Sequence, residues 1–111
     1  MKKSMEKSSD MFTKLIESQL KIEIIKEYRF CPNRRFLADY YIPSLRLLIE
    51  QEGGIFTGQA HGSVTGIMRD IEKYNLATTM GYSILRFIPH DLVSMKTIEM
   101  IKEFAKNRGK I

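Results

Sequence analysis

The chain contains very little cysteine and no long apolar segment, and each shortage excludes a class of structure. Cys31 is the only cysteine among 111 residues, which excludes an internal disulfide and any zinc site built from several cysteines. No stretch approaches the roughly eighteen apolar residues that a membrane helix needs, and the basic start of the chain is not followed by the apolar segment of a secretory signal. We therefore expect a cytoplasmic protein that contacts no membrane and holds any metal through oxygen atoms.

The length and the charge of the chain predict one domain with a polyanionic partner. A chain of 111 residues can enclose a single hydrophobic core, and we expect a flexible basic N-terminus at 1–8 followed by one domain at 9–111. Eighteen lysines and arginines against thirteen aspartates and glutamates give a net charge of +5. Much of the positive charge lies near the two ends while many acids are central, which suits an acidic metal centre inside a basic shell.

The spacing of apolar and turn-forming residues predicts an α/β (α+β) fold with the element order αβββαβα. The predicted elements are a helix from 9 or 10 to about 21, strands at 24–30, 34–42 and 46–50, a helix at 66–80, a strand at 82–88 and a helix from 91 or 94. The strand at 34–42 alternates, which predicts a shared face for Phe36, Ala38, Tyr40 and Ile42. The helix at 66–80 is expected to bury a stripe of Ile67, Ile71 and Tyr74.

The two central strands are predicted to form a hairpin that brings acidic side chains together. A turn centred between Ser44 and Leu45 pairs residues whose numbers sum to 89, so Asp39 faces Glu50. Since strand side chains alternate, Glu52 shares the face of Glu50. Three carboxylates on one face repel one another unless a cation lies among them, and a hard divalent ion such as Mg²⁺ or Mn²⁺ is the expected cofactor.

A solvated strand face is the alternative interpretation of these acids, because carboxylates are mostly exposed in folded proteins. The surrounding sequence favours the metal site. Leu47-Leu48-Ile49 and Phe36-Leu37 are apolar at both alternating positions, which indicates strands that are covered on both sides. Acids near the end of such strands are costly unless they have a role.

Five motifs between residues 27 and 93 form a specific combined pattern. They are Glu27-Tyr28-Arg29-Phe30, Arg34-Arg35-Phe36-Leu37-Ala38-Asp39-Tyr40, Leu48-Ile49-Glu50-Gln51-Glu52-Gly53-Gly54-Ile55-Phe56, Asp70-Ile71-Glu72-Lys73-Tyr74-Asn75 and Gly81-Tyr82-Ser83-Ile84-Leu85-Arg86-Phe87. The combination resembles a family of small phage and prophage endonucleases, which is similar to very-short-patch repair endonuclease and belongs to the PD-(D/E)XK superfamily. The resemblance implies the restriction endonuclease-like αβββαβ core, with a mixed central sheet flanked by helices.

The resemblance also implies roles for the acidic positions. Asp39 matches the aspartate of the motif, Glu50 matches its second acid, and Glu27 matches the upstream acid. The backbone carbonyl of Gln51 often completes the metal shell in such enzymes. Glu52 stands where the usual signature has lysine, although this branch resembles relatives with an acid there, and it is a further candidate for catalysis and for metal binding.

Lys73 and His61 are two more candidates for catalysis. Lys73 is expected to replace the missing lysine, because Asp70 and Lys73 lie one helical turn apart and can point together towards the strand ends. A surface lysine paired with Asp70 or Glu72 is the alternative. His61 lies in a glycine-rich loop where relatives carry a histidine preceded by arginine, here replaced by Ala60. It would orient the attacking water, contact the phosphate, or lie in solvent.

The resemblance implies Mg²⁺-dependent hydrolysis of double-stranded DNA that leaves a phosphate on the 5′ side of the cut. Arg34, Arg35 and Arg69 are the candidate DNA contacts, and because the side chains of Arg34 and Arg35 diverge, one of these two at most is expected to reach a phosphate. Arg86 is either another such contact or a buried ion-pair partner. A Holliday-junction or branched-DNA resolvase is one alternative, and junction cleavage favours a symmetric homodimer. A mismatch or site-specific nickase, and a non-catalytic DNA-binding module that kept the nuclease fold, are the others.

Overall fold

The computed structural model describes residues 9–52 and 64–109, and its elements follow the predicted order αβββαβα, with one short extra helix before the last. The helices are α1 (Met11–Leu20), α2 (Val64–Thr79), α3 (Pro89–Leu92) and α4 (Met95–Asn107). The strands are β1 (Ile25–Arg29), β2 (Leu37–Ile42), β3 (Leu47–Gln51) and β4 (Ser83–Phe87). The predicted flexible segment 1–8 lies outside the described residues, and none of the described helices is long and apolar enough to cross a membrane.

The four strands form one mixed sheet in the order β1-β2-β3-β4. β2 is antiparallel to both β1 and β3, whereas β4 is parallel to β3 and follows α2 in the chain. The hairpin register confirms the predicted sum of 89, with the pairs Tyr40–Ile49, Tyr41–Leu48 and Ile42–Leu47. The predicted fold class is confirmed too, since a mixed sheet flanked by helices is compatible with the αβββαβ core.

Local sequence determines where the first helix and the hairpin turn begin and end. Asp10 caps α1, because its Oδ1 accepts the Thr13 N–H at 2.8 Å while the Thr13 hydroxyl accepts the Asp10 N–H at 2.8 Å. Lys21 ends the helix in the left-handed conformation, with a φ of 58°. Pro43–Leu45 forms one 3₁₀ turn between β2 and β3, since proline already has the φ that such a turn requires.

The sheet separates two buried clusters of side chains. The first packs against α1 and α4 and includes Phe12, Ile16, Tyr40, Ile42, Leu47, Ile49, Ile98 and Ile101. The second packs against α2 and includes Phe30, Phe36, Ala38, Tyr41, Leu48, Ala77 and Tyr82. The shared face predicted for 34–42 is therefore wrong, because Ala38 and Tyr40 belong to opposite clusters and the strand changes face at Asp39.

The change of face at Asp39 has its counterpart in the neighbouring strand. Glu27 of β1 has a φ of 56°, and a left-handed residue interrupts the two-residue alternation of a strand. Ile25 and Tyr28, three residues apart, accordingly both pack in the α2 cluster. β1 and β2 thus change face at the same level.

Helix α2 is rotated relative to the prediction. Ile67 and Ile71, expected in its buried stripe, are 49% and 54% exposed, while Ala77 is buried. The side that faces the sheet instead carries Asp70, Lys73, Tyr74 and Ala77, which have the spacing of one helical face. The polar half of this face contacts Glu50 and Glu52 at the end of β3, and only its C-terminal half joins the core.

Candidate active site

Asp39 of β2 and Glu50 of β3 lie side by side on one face of the sheet. Oε2 of Glu50 accepts the backbone N–H of Asp39 at 3.2 Å, and Oδ2 of Asp39 accepts the N–H of Gln51 at 2.7 Å. Each carboxylate thus bonds to the backbone of the other's strand, and a hydrogen bond to a charged acceptor is stronger than a neutral one. The predicted proximity of Asp39 and Glu50 is confirmed.

Glu50 is the buried acid of the pair, and Lys73 reaches it from α2. The side chain of Glu50 is 8% exposed, and burial raises the pKa of its carboxyl, to which the charge of Asp39 adds. Nζ of Lys73, itself 15% exposed, donates to Oε1 of Glu50 at 3.0 Å and opposes that rise in pKa. Lys73 therefore points towards the strand ends as predicted, and its ion pair is with Glu50 rather than with Asp70 or Glu72.

The carboxylate of Glu52 bonds to groups other than those around Asp39 and Glu50. Its Oε2 accepts hydrogen bonds from Nε of Arg86 at 2.8 Å and from the hydroxyl of Tyr74 at 3.0 Å. The bond from Arg86 is the main reason that the pKa of Glu52 is lowered. The Glu52 N–H continues the ladder beyond the end of β3 by bonding to the Phe87 carbonyl at 2.8 Å, and its side chain contacts α2, so Glu52 shares the face of Glu50 as predicted.

The predicted convergence of three carboxylates is therefore wrong. Within 9–52 and 64–109, no three or more histidine, cysteine, aspartate or glutamate side chains are grouped so that they could hold a metal ion. The reason is that the Glu52 carboxylate is paired with Arg86 rather than with the Asp39–Glu50 pair.

The oxygen atoms of the Asp39–Glu50 pair nevertheless suit a hard divalent cation. Each carboxylate has about four lone-pair sites, and the hydrogen bonds described above use only some of them. The N–H and C=O of one strand residue point to the same neighbouring strand, so the Gln51 carbonyl faces β2 as its N–H does. Mg²⁺ is commonly bound by one or two carboxylates and keeps several waters, so a third acid is not required.

The three candidate DNA-contacting arginines occupy two kinds of position. The guanidinium groups of Arg34 and Arg69 lie 4.4 and 5.8 Å from the ring centroid of Phe36, and Arg34 also pairs with Glu72 of α2. Arg35 is exposed and forms no ion pair within the described residues. Two of the three candidates thus lie near one aromatic ring and beside α2.

The roles of two sequence-predicted residues stay untested. Glu27 is an exposed residue of the edge strand β1, and its role as the upstream acid stays a prediction. His61 and the neighbouring Ala60 lie outside the described residues. The role predicted for His61 is therefore untested as well.

Arg86 and Tyr74 also lie on this face. The sequence predicts Arg86 as a further DNA contact or a buried ion-pair partner, and the structure shows it as a half-exposed partner of Glu52. Tyr74 was expected only as part of a buried stripe, and its burial raises the pKa of its hydroxyl. Arg86 gave one signal, since an arginine between Leu85 and Phe87 interrupts an otherwise apolar strand. Which residue of β3 lies opposite Arg86 is set by the parallel β3–β4 register, which the sequence does not reveal.

Comparisons with known proteins give no independent assignment. No protein-family model matches the chain, and neither the curated proteins nor the solved structures give a match.

Proposed function

We propose that this protein is a divalent-metal-dependent endonuclease of the PD-(D/E)XK class that hydrolyses phosphodiester bonds in DNA. The observation that carries the proposal is the arrangement of Asp39, Glu50 and Lys73, which come from β2, β3 and α2 and meet on one face of the sheet. Two oxygen-donor acids that can hold a metal, and one buried ammonium group that can stabilise charge on a phosphate, suit metal-dependent phosphodiester hydrolysis.

Asp39 and Glu50 would hold the cation, with the carbonyl of Gln51 as a third oxygen donor. When bound there, Mg²⁺ or Mn²⁺ would polarise the phosphate and lower the pKa of a bound water. The two acids are oriented before any ligand arrives, because each accepts a backbone N–H from the other's strand. Such preorganisation means that little rearrangement is needed when the substrate binds.

Lys73 would stabilise the negative charge that develops on the phosphate. Its ammonium group is mostly shielded from water and is fixed 3.0 Å from Oε1 of Glu50, so its electrostatic effect on a nearby phosphate is stronger than in bulk solvent. Lys73 would thus supply from a helix the positive charge that the usual signature places on the strand, at the position that Glu52 occupies here.

DNA is the substrate that the charge of the protein favours. The net charge is +5, and Arg34, Arg35 and Arg69 supply side chains that suit the phosphate backbone. Phosphate contacts fix the orientation of a duplex without reading its sequence. We therefore propose that Arg69, together with one of Arg34 and Arg35, orients DNA across the site.

The proposal is tested by cleavage of three substrates: supercoiled plasmid, linear duplex and a synthetic four-way junction. We expect cleavage with Mg²⁺ or Mn²⁺ and none with a chelator, and Asp39→Asn should be inactive under the same conditions. Faster cleavage of the four-way junction than of the other two substrates would identify a resolvase. Binding of DNA without cleavage at any metal concentration would identify a non-catalytic module and overturn the proposal.

A further inference from the structure

Arg86 is a charged residue on the site face that the proposed chemistry does not use. It lies on β4 directly opposite Glu50 in the parallel register, and Glu50 lies beside Asp39. Asp39, Glu50 and Arg86 thus form a row across three neighbouring strands, which are spaced about 4.8 Å apart. Lys73 and Tyr74 are consecutive residues of α2. Lys73 contacts Glu50 and Tyr74 contacts Arg86, so the side chains of Glu50 and Arg86 lie on the α2 side of the sheet.

Two neighbours fix the guanidinium group of Arg86. Its Nε donates to Oε2 of Glu52 at 2.8 Å, and its central carbon lies 4.5 Å from the ring centroid of Tyr74. The Tyr74 hydroxyl donates to the same Oε2 at 3.0 Å, so Glu52 is itself held in place. The side chain of Glu52 is 19% exposed, whereas that of Arg86 is 51% exposed. The guanidinium is therefore anchored on one edge and open to solvent on the other.

The open edge of this guanidinium carries unused donors. Nη1 and Nη2 of Arg86 bond to no acceptor in the part of the chain that the structure describes, since its hydrogen bond there uses Nε alone. Two terminal NH₂ groups in a rigid fork match the geometry of a phosphate. An arginine that is already fixed also loses less side-chain entropy when it binds a ligand.

We propose that Arg86 binds an oxygen of the DNA backbone phosphate next to Asp39 and Glu50, and that Glu52 is a positioning residue for Arg86. The identity of the phosphate as DNA rests on the proposed function. Under this assignment Glu52 is not a metal ligand, although it stands at a motif position. Its carboxylate instead holds the Arg86 guanidinium of β4 in position beside Asp39 and Glu50.

The first test is the salt dependence of DNA binding, which does not require cleavage. A labelled duplex is titrated at several salt concentrations, with chelator present, for the wild type, Arg86→Gln and Arg108→Gln. Arg108 is a matched control, because it also stacks on an aromatic ring, 4.7 Å from the Phe104 centroid, and bonds to Ser83 at the opposite end of β4. Loss of one phosphate contact lowers the slope of log K against log salt by about 0.9. We expect this smaller slope for Arg86→Gln and an unchanged slope for Arg108→Gln. Equal slopes for these two variants would overturn the assignment of Arg86.

The second test separates a positioning role of Glu52 from metal binding. Mn²⁺ affinity is measured by the electron paramagnetic resonance signal of the free ion for Glu52→Gln and Asp39→Asn. We expect Asp39→Asn to weaken binding more than about tenfold, since it removes a ligand, and Glu52→Gln to leave it within about twofold. Weakened Mn²⁺ binding in Glu52→Gln comparable to that in Asp39→Asn would show that Glu52 is a ligand and overturn its positioning role.

A double-mutant cycle tests whether Glu52 acts through Arg86. Single-turnover cleavage rates are compared for Glu52→Gln, Arg86→Gln and the double variant. If Glu52 only holds Arg86, the double variant is no slower than Arg86→Gln, because the second change removes nothing further. Independent, multiplying losses would contradict the positioning role.

Failure of this inference is distinguishable from failure of the proposed function. If the wild type cleaves DNA but Arg86→Gln keeps the full salt slope, only the role of Arg86 is wrong. If the wild type binds without cleaving and Arg86→Gln loses slope, the phosphate contact stands and the nuclease proposal falls. A wild type that neither cleaves nor binds DNA overturns both.

Discussion

Lys73 of α2 and Glu50 of β3 form the least exposed ion pair of residues 9–52 and 64–109, with 3.0 Å between Nζ and Oε1 and side-chain exposures of 15% and 8%. Burial of two charges is expensive, so a buried pair is weak evidence for a role in stability. The pair also lies next to Asp39, whose charge would be costly beside Glu50 unless a cation is near. Both the buried ion pair and the two adjacent carboxylates cost stability, which favours a role for this cluster in a reaction rather than in folding.

Replacing Lys73 should therefore reduce catalysis more than DNA binding. Lys73→Met keeps the aliphatic length of the side chain and removes the charge, and we expect the single-turnover cleavage rate to fall on the order of a hundredfold or more with little change in DNA affinity. Lys73→Arg keeps the charge and should retain part of the rate. Lys102, an exposed lysine on α4, provides the control, since Lys102→Met should leave the rate unchanged. A loss explained wholly by weaker binding would instead make Lys73 a phosphate anchor.

Asp39→Asn should abolish cleavage while leaving the fold at least as stable. The amide oxygen of asparagine can still accept the Gln51 N–H that Asp39 accepts at 2.7 Å, and the change removes repulsion between two adjacent carboxylates. Repulsion of this kind costs roughly 0.2–1 kcal/mol, so urea unfolding in chelator should show a free energy of unfolding that is equal or higher by that amount. Glu99→Gln on the outer surface of α4 should change neither property. If Asp39→Asn cleaved DNA at the wild-type rate, Asp39 could not be a metal ligand of the proposed site.

The hairpin could be predicted from the sequence because its determinants are local. Pro43-Ser44-Leu45 defines one short turn, and a turn of fixed length determines which residues pair. The proximity of Asp39 and Glu50 follows from that register. The helix cap at Asp10 and the start of α4 at Ser94 are local in the same way.

The parts that could not be predicted depend on distant partners. The alternation of 34–42 fails at Asp39 because a left-handed Glu27 in the neighbouring strand changes the face of both strands. The rotation of α2 is set by contacts of Lys73 and Tyr74 with residues more than twenty positions earlier in the chain. The sequence did not reveal that Glu52 pairs with Arg86. Arg86 lies on β4, which follows α2 in the chain and pairs in parallel with β3.

Asp10 should be important for stability, because it serves both α1 and the core. One oxygen caps the helix at Thr13, and the other accepts the hydroxyl of Tyr40, a residue that is only 3% exposed, at 2.7 Å. Loss of a cap costs about 1 kcal/mol, and a buried hydroxyl without its acceptor costs about 1–3 kcal/mol. Asp10→Ala should therefore lower the free energy of unfolding by about 2–4 kcal/mol. In a Tyr40→Phe background the same change should cost only the cap, about 1 kcal/mol; equal costs in both backgrounds would show that the Tyr40 bond contributes nothing.

The two site glutamates should have opposite effects on the pH dependence of stability. Burial raises the pKa of Glu50 above its value in the unfolded chain, whereas the hydrogen bond from Arg86 lowers the pKa of Glu52. In the window from the ordinary glutamate pKa, about 4.3, up to the raised value, folded Glu50 keeps a proton that the unfolded chain has released. Stability from this group is complete below that window and is lost as the pH rises through it. Glu52 contributes stability above the ordinary value and loses it as the pH falls through the lowered pKa.

Urea unfolding of Glu50→Gln and Glu52→Gln in chelator, from acidic to neutral pH, measures this difference. The free energy of unfolding of Glu50→Gln relative to the wild type should rise as the pH rises above about 4.3, because the variant has no buried carboxyl to ionise. That of Glu52→Gln relative to the wild type should fall as the pH rises towards the same value, since only the wild type gains the ion pair with Arg86. Each change amounts to about 1.4 kcal/mol for every unit by which the pKa is shifted. Parallel pH profiles for the two variants would mean that the two carboxylates have similar surroundings, and would contradict the separation of Glu52 from the Asp39–Glu50 pair on which the proposed roles depend.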